Sequence, residues 1–179
     1  MNTYWFDLEV GGPVTDDHVE ALGDILTAAD GIDATVQADH RGGKVMFNRE
    51  AHDAIEAITS AIEQVTAAGI NVTGVTEDLV VTDEIAERAK VTPAAVRYWM
   101  SGERGPGGFP DPKVRRQRYS LYSWAEVSNW LAAAKLGEVD YSAAEAARAS
   151  ALINAALTVR EGMRDLPPHD RPLIRRLVA

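Results

Sequence analysis

Alternating apolar and polar positions open the chain. Residues 4–10 place an apolar residue at every second position, which predicts a half-buried strand. Apolar residues then recur at helical spacing over 19–29, where Asp30-Gly31 ends the helix, and again over 51–65. Between these helices, Arg41-Gly42-Gly43 joins two short alternating segments, which predicts a β-hairpin.

A last strand, interrupted at Gly74, is predicted over residues 70–80. The resulting order, β-α-β-β-α-β, is the split arrangement of ferredoxin-like folds. We therefore predict an α+β protein whose residues 1–80 form a ferredoxin-like module. Its two helices are expected to cover one face of a four-stranded antiparallel sheet.

Residues 82–101 contain two short helical patterns separated by a tight turn. Thr82 is expected to cap the first helix, and Thr92 followed by Pro93 marks the start of the second. Val96 and Trp99 are three residues apart, so they share one face and are expected to be buried. The opposite face then carries Ala94, Ala95, Arg97, Tyr98 and Ser101. Small residues followed by a cation and a phenol suit a helix that approaches bases in the DNA major groove, although an ordinary helical hairpin has the same spacing.

Glycine and proline dominate residues 102–112, in a pattern that matches neither a phosphate-binding loop nor a dinucleotide fingerprint. Basic and apolar residues are interleaved over 113–122, which predicts a basic strand. Ser123 is expected to cap a helix that carries Trp124 and Trp130. Large aromatic residues at helical spacing usually bury area, so both tryptophans are expected to be core residues rather than base-stacking platforms.

A helical tail is predicted over residues 137–179. Ser142 and Glu145 have the spacing of a capping box, and an alanine-rich helix follows as far as Arg164, before Pro167-Pro168. This helix is either a dimerisation seam or packs against its own chain. The pattern favours neither, since its apolar stripe is irregular for a coiled coil.

The distribution of charge separates these segments. The chain carries 18 basic and 27 acidic residues, a net charge of −9, which by itself disfavours nucleic acid as a ligand. Residues 1–79 hold 3 of the basic and 15 of the acidic residues, whereas residues 88–118 hold 8 basic and 2 acidic residues. The acidic balance therefore belongs to the first module, and the segment around the second short helix is strongly basic.

The segment from Thr82 to Trp99, TDEIAERAKVTPAAVRYW, resembles the helix-turn-helix of MerR-type and phage excisionase-type winged-helix regulators. It is similar above all to short modules of actinobacterial DNA-binding proteins, in which a Gly-rich segment with Phe-Pro follows, as it does here at Phe109-Pro110. The resemblance covers residues 80–134. It implies that Arg97 and Tyr98 face DNA and that the following hairpin is a wing. MerR-type regulators dimerise through a helix after the DNA-binding part, which implies a homodimer through the C-terminal helix.

These observations predict three parts: a ferredoxin-like domain over 1–80, a winged helix-turn-helix over 81–136 and a helical tail over 137–179. The expected function is that of a cytoplasmic, sequence-specific transcriptional regulator of prophage or mobile-element type that binds double-stranded DNA. Helix 93–101 would read the major groove and the basic wing would hold the backbone. The predicted DNA-contacting residues are Thr92, Ala94, Ala95, Arg97, Tyr98, Ser101, Arg104, Lys113, Arg115, Arg116 and Arg118.

An alternative is a protein-interaction module, such as an antitoxin or adaptor, whose acidic N-terminal domain binds a basic protein. That domain is also the expected site for a protein or small-molecule effector. The chain has no cysteine, and no paired carboxylates, nucleophile–base motif or metal triad predicts an enzyme, so no cofactor, metal or catalytic residue is expected. No apolar run reaches the about 18 residues that cross a membrane, so no membrane partner is expected.

Overall fold

The computed structural model describes residues 1–29 and 31–177. Over these residues the chain is a mixed α+β protein with seven helices and two antiparallel sheets, so the predicted class is confirmed. Three residues lie outside the described residues: Asp30, at which the sequence predicts the end of a helix, and Val178 and Ala179, which end the predicted tail.

The first sheet has four strands in the order β2-β3-β1-β4, each antiparallel to its neighbours. Its elements are β1 (Asn2–Gly11), α1 (Asp16–Ala28), β2 (Ala34–Asp39), β3 (Gly42–Ala51), α2 (Ala54–Ala67) and β4 (Asn71–Val75). The predicted element order and the four-stranded antiparallel sheet are confirmed. Tyr4, Leu8 and Val10 on β1 pack in one cluster with Leu22 of α1 and Ile58 of α2. Both helices therefore cover the same face of the sheet, and on the other, open face Trp5 and Glu9 are exposed.

β1 and β3 pair without interruption over their full length, from Asn2 opposite Ala51 to Gly11 opposite Gly42. Gly42 has a φ of +106°, and a Cβ there would lie 2.3 Å from the Val10 carbonyl oxygen. The close approach of the two strands at this end therefore requires glycine.

The second sheet has three strands in the order β5-β7-β6. The elements of this part are β5 (Leu79–Val80), α3 (Thr82–Arg88), α4 (Pro93–Ser101), β6 (Val114–Arg115), β7 (Ser120–Ser123) and α5 (Trp124–Ala134). The prediction of one strand over 70–80 is wrong. β4 ends at Val75, the Thr76 N–H donates to the Asp7 carbonyl oxygen at 2.8 Å, and Leu79 then pairs with Ser123 of the second sheet.

Two helices complete the chain, α6 (Tyr141–Asp165) and α7 (Arg171–Leu177). The sequence left open whether this helix forms a dimerisation seam or packs against its own chain. The first half of α6 packs against its own chain. Ala146, Ala149 and Ile153 join the core of the first sheet, and Ala147 joins a second cluster built on α3, α4 and α5. One helix thus supplies side chains to both cores.

Two predicted helix caps are wrong. α3 begins at Thr82 itself, and its N-cap is Val81, whose N–H donates to the Glu84 carboxylate at 2.9 Å. The N-cap of α6 is Asp140 rather than Ser142.

The predicted capping box fails because α6 begins at Tyr141, which places Ser142 inside the helix, and the Glu145 carboxylate is engaged elsewhere. It accepts from the Tyr4 hydroxyl at 2.9 Å and from the Ala54 N–H at 3.3 Å. Glu145 therefore satisfies a free N–H at the start of α2, a helix that lies about ninety residues earlier in the chain.

Asn154, also on α6, holds the outer edge of β4. Its side-chain amide accepts from the Val75 N–H at 2.8 Å and donates to the Val75 carbonyl oxygen at 2.7 Å. A side chain thus occupies the place that a further strand would take at this residue. Among residues 1–29 and 31–177, no helix combines the length and apolar character needed to cross a membrane.

Candidate nucleic-acid interface

The turn between α3 and α4 is tied down on both sides. The Val91 N–H donates to the Ala86 carbonyl oxygen at 2.9 Å, and Lys90 takes the left-handed backbone conformation with a φ of 53°. The Lys90 ammonium pairs with the Glu138 carboxylate, and the Glu138 N–H donates to the Ala89 carbonyl oxygen at 2.9 Å. The hydrogen bond and the charge of Glu138 both raise the pKa of Lys90. The loop after α5 therefore fixes the angle at which α4 leaves α3.

α4 divides into a buried and an exposed face as predicted. Val96 is fully buried and Trp99 is only 7% exposed, which confirms the predicted core pair. Arg97 and Tyr98 are exposed on the other side, Tyr98 to 40%. Ala95 differs from the expectation, since it is half-buried and packs against the second cluster.

The hydroxyls of the predicted site serve the helix itself. Thr92 is the N-cap, and its Oγ1 accepts from the Ala95 N–H at 3.2 Å. The Ser101 hydroxyl donates to the Tyr98 carbonyl oxygen at 3.2 Å. The exposed surface that remains for a ligand consists of Ala94, Arg97 and Tyr98, with the outer sides of the two hydroxyl residues.

Residues 102–112 fold back over an aromatic cluster rather than hanging free. The Trp130 indole N–H donates to the Gly107 carbonyl oxygen at 2.9 Å. Phe109 meets the Trp130 ring edge-on at 5.1 Å between centroids, and Trp99 lies 5.5 Å from Trp130. Gly105 lies so close that a Cβ would be 3.1 Å from Trp99. Trp124 is buried as predicted, whereas Trp130 is half-buried and acts as the anchor of this loop.

The same loop returns Arg104 to α4. Its N–H donates to the Tyr98 carbonyl oxygen at 3.2 Å, and its guanidinium lies 4.9 Å above the centre of the Tyr98 ring. Two residues six positions apart are thus brought into one stacked pair on the exposed side of α4. The sequence indicated each residue separately, but the stack depends on the left-handed turn at Gly102, which has a φ of 73°.

The basic segment is a short hairpin, as the resemblance implies, rather than a lone basic strand. β6 and β7 pair at Val114 opposite Leu121, and the Arg116 N–H donates to the Tyr119 carbonyl oxygen at 2.9 Å across the turn. Arg116 and Arg118 are exposed on this turn beside Tyr119, whose side chain is 52% exposed.

Ion pairs divide the eight cations of residues 88–118 into two groups. Four have a carboxylate partner: Arg88 with Asp78, Lys90 with Glu138, Lys113 with Glu126 and Arg115 with Asp111. Within the part of the chain that the structure describes, the other four form no ion pair: Arg97, Arg104, Arg116 and Arg118. Two of the predicted wing cations, Lys113 and Arg115, therefore already have a carboxylate partner, in both cases at the exposed surface.

Arg88 connects α3 to Asp78 and to Trp124, a role that the sequence did not indicate. Its guanidinium lies 2.5 Å from the Asp78 carboxylate and 5.1 Å from the centre of the Trp124 ring. The Asp78 carbonyl oxygen also accepts from the main-chain N–H of Trp124 at 2.9 Å. These contacts link the segment that leaves the first sheet to α3 and to the start of α5, and the ten-residue separation of Asp78 and Arg88 gave no pattern from which to predict them.

Comparisons of the chain with protein-family models, with curated proteins and with solved structures found no match. Inferences about its function therefore come from the residues and their arrangement.

Proposed function

We propose that residues 81–136 form a winged helix-turn-helix that binds duplex DNA with sequence specificity, and that the protein is a transcriptional regulator. The observation that carries this proposal is the division of α4. Its buried face anchors the helix in the second cluster, while its exposed face presents a small residue, Ala94, followed by Arg97 and the Tyr98–Arg104 stack. A helix with this arrangement can enter the major groove with its N-terminal end close to the bases.

Arg97 is the residue best placed to read a base. It is exposed, and among the described residues no carboxylate pairs with it, so its guanidinium is available for a guanine edge. Arg104 is held against the Tyr98 ring at 4.9 Å. This contact limits the rotamers that must be ordered on binding, which suits a phosphate contact beside the groove.

The β6–β7 hairpin supports the role of a wing. Arg116 and Arg118 extend from its turn without an ion pair among the described residues, so they can contact phosphates directly. Lys113 and Arg115 would first have to leave Glu126 and Asp111. We therefore assign backbone contacts to Arg116 and Arg118 ahead of Lys113 and Arg115.

The first part of the chain is best interpreted as a ferredoxin-like module. Its element order and its strand order, β2-β3-β1-β4, both support this assignment. The fold by itself does not set a function. We propose that this module receives a partner or effector while the second module binds DNA.

Selection of bound duplexes from a random DNA pool tests the proposal. The full-length protein is expected to enrich one motif. Arg97→Glu should abolish the enrichment, because it reverses the charge on the exposed face of α4. Arg41→Glu is the matched control, since Arg41 is an exposed cation on the turn between β2 and β3, outside the second module, and it should leave the motif unchanged. Recovery of unrelated sequences by the wild-type protein would contradict sequence-specific binding.

A further inference from the structure

The first half of β1 has a free edge on the side of β4. β1 extends from Asn2 to Gly11, but β4 pairs with it only from Leu8 onward. The last contact is the hydrogen bond from the Thr76 N–H to the Asp7 carbonyl oxygen at 2.8 Å, after which the chain leaves toward the second sheet. Within the described part of the chain, residues 2–6 therefore have a strand on one side only.

The free edge presents four main-chain groups. In an antiparallel strand the N–H and C=O groups of one residue point to the same side, and the next residue points both of its groups to the opposite side. The pairing of β1 with β3 is uninterrupted, so Thr3 and Trp5 point their groups to the same side as the Asp7 carbonyl. Within the described residues, no backbone hydrogen bond reaches the N–H or C=O of Thr3 or Trp5 on this side.

This edge lines a slot of about 480 Å³. One wall is β1 over residues 3–6, and the opposite walls are Asp78, Arg88 and the first turns of α6. The α6 wall carries small side chains, Ala143, Ala146 and Ala147. The slot therefore lies between the free edge of β1 and the side of α6.

The open face of the sheet adjoins the slot at Trp5. Trp5 is 72% exposed, although it stands in the middle of the sheet's longest pairing. The depression around it is also lined by Glu77 and Asp78. Asp78 is paired with Arg88, so side chains on this side of an added strand would meet an aromatic ring and the Glu77 carboxylate, an environment that favours a cation.

We propose that this slot binds an extended peptide of alternating apolar and basic residues, which adds to β1 as a strand. Its main chain would pair with Thr3 and Trp5. Successive side chains of a strand point to opposite faces, so the apolar ones would pack on the alanines of α6 and the basic ones would lie over Trp5. Residues 1–79 hold 15 acidic and 3 basic residues, and this negative charge favours the same cationic partner. β4 contrasts with β1, because Asn154 already occupies its edge at Val75.

A fluorescein-labelled peptide of seven alternating lysines and valines is a direct probe, with fluorescence anisotropy measured on the full chain. Thr3→Pro removes one outward N–H and leaves the β1–β3 hydrogen bonds intact, as proline is tolerated at such an edge position. Thr3→Ala is its matched control, since it keeps the N–H. We expect Thr3→Pro to weaken binding about three- to tenfold, the equivalent of one net hydrogen bond, and Thr3→Ala to bind like the wild type.

N-methylated peptides test the geometry on the wild-type protein, so the result does not depend on how a variant folds. Only one of the two alternating sets of peptide N–H groups can face β1. A peptide methylated at the backbone nitrogens of all its lysines and one methylated at the backbone nitrogens of all its valines should therefore differ in affinity. One of them should lose affinity and the other should keep it. Equal affinities for the two peptides would overturn strand addition. So would the absence of binding at about 1 mM peptide, or a wild-type dimer in sedimentation that Thr3→Pro dissociates, since a second copy would then occupy the edge.

Discussion

Arg97 is one of the four cations of residues 88–118 that form no ion pair among the described residues, and it is exposed on the face of α4 opposite Trp99. In the proposed complex it contacts a base edge, a contact that contributes about 1–3 kcal/mol of discrimination. We expect Arg97→Ala to weaken binding to a selected site by about that amount and to change binding to random DNA much less. Fluorescence anisotropy with both duplexes measures the difference. An equal loss on the two duplexes would make Arg97 a phosphate contact instead.

Tyr4 gives the fold a sensitivity to alkaline pH. Its ring is buried, and burial together with the neighbouring Glu145 raises the pKa of its hydroxyl above the ordinary value. The folded state therefore holds this proton more tightly than the unfolded chain does. The corresponding stability is complete below the unfolded pKa of about 10 and is lost as the pH rises through the folded pKa.

Tyr4→Phe tests this coupling. At neutral pH the free energy of unfolding of the variant should be lower by about 0.5–1.5 kcal/mol, the net contribution of the hydrogen bond to Glu145. Above about pH 10 the difference in the free energy of unfolding between the wild type and the variant should narrow, because only the wild type must keep a buried phenol protonated. Urea unfolding at pH 7 and pH 10.5, about half a unit above the unfolded pKa, compares the two proteins. A gap that widens with pH would contradict the assignment.

At the scale of elements, an aromatic cluster holds α4, the glycine-rich loop and α5 together. Trp99 packs on Trp130, and Trp130 in turn binds the Gly107 carbonyl oxygen. We expect Trp99→Ala to destabilise the protein by about 3–5 kcal/mol, as for other buried large aromatic residues. Tyr98→Ala, the neighbouring exposed position, is the matched control and should cost much less. Thermal unfolding distinguishes them, and equal midpoints would mean that the loop does not depend on Trp99.

Periodicity predicted most elements of this fold because it is a local property. The strands and helices of residues 2–67 follow from apolar spacing and from glycines such as Gly42. The strand over 70–80 was predicted too long because Leu79 and Val80 are apolar in either sheet. Their partners, Ser123 and Tyr122, lie more than forty residues away.

The candidate site shows the same limit. The spacing of Val96 and Trp99 predicted which face of α4 is buried, and the structure confirms it. Neither the pairing of Lys113 with Glu126 nor the engagement of Glu145 by Tyr4 leaves a pattern in sequence, since each joins elements that only the tertiary fold brings together. Spacing thus predicts exposure, whereas the charge available to a ligand depends on contacts between distant segments.

At the scale of the whole molecule, three unpaired cations remain for phosphates in the proposed complex, Arg104, Arg116 and Arg118, and Arg97 adds a fourth positive charge within the groove. Each phosphate contact releases counterions, so the logarithm of the affinity should fall against the logarithm of salt with a slope of about −3 to −4 per protein chain. Anisotropy titrations between 50 mM and 200 mM salt, about the range in which such slopes are resolved, measure it. A flat response would exclude a phosphate-dominated interface. A slope near twice the expected value would mean that Lys113, Arg115 and other paired cations also leave their carboxylates.

The acidic first module should act against non-specific DNA binding. Its charge is best altered by substitution, because α6 buries Ala146, Ala149 and Ile153 against this module and a deletion would expose them. Glu20→Gln, Asp24→Asn and Glu63→Gln together remove three exposed negative charges from α1 and α2. Since non-specific affinity is electrostatic, the triple variant should bind random duplex about two- to fivefold more tightly at low salt, and the gain should vanish at high salt. Thr66→Gln, an exposed neutral change on α2, is the control. A gain that persisted at high salt would contradict an electrostatic origin, and no gain at low salt would mean that the acidic module does not repel the bound DNA.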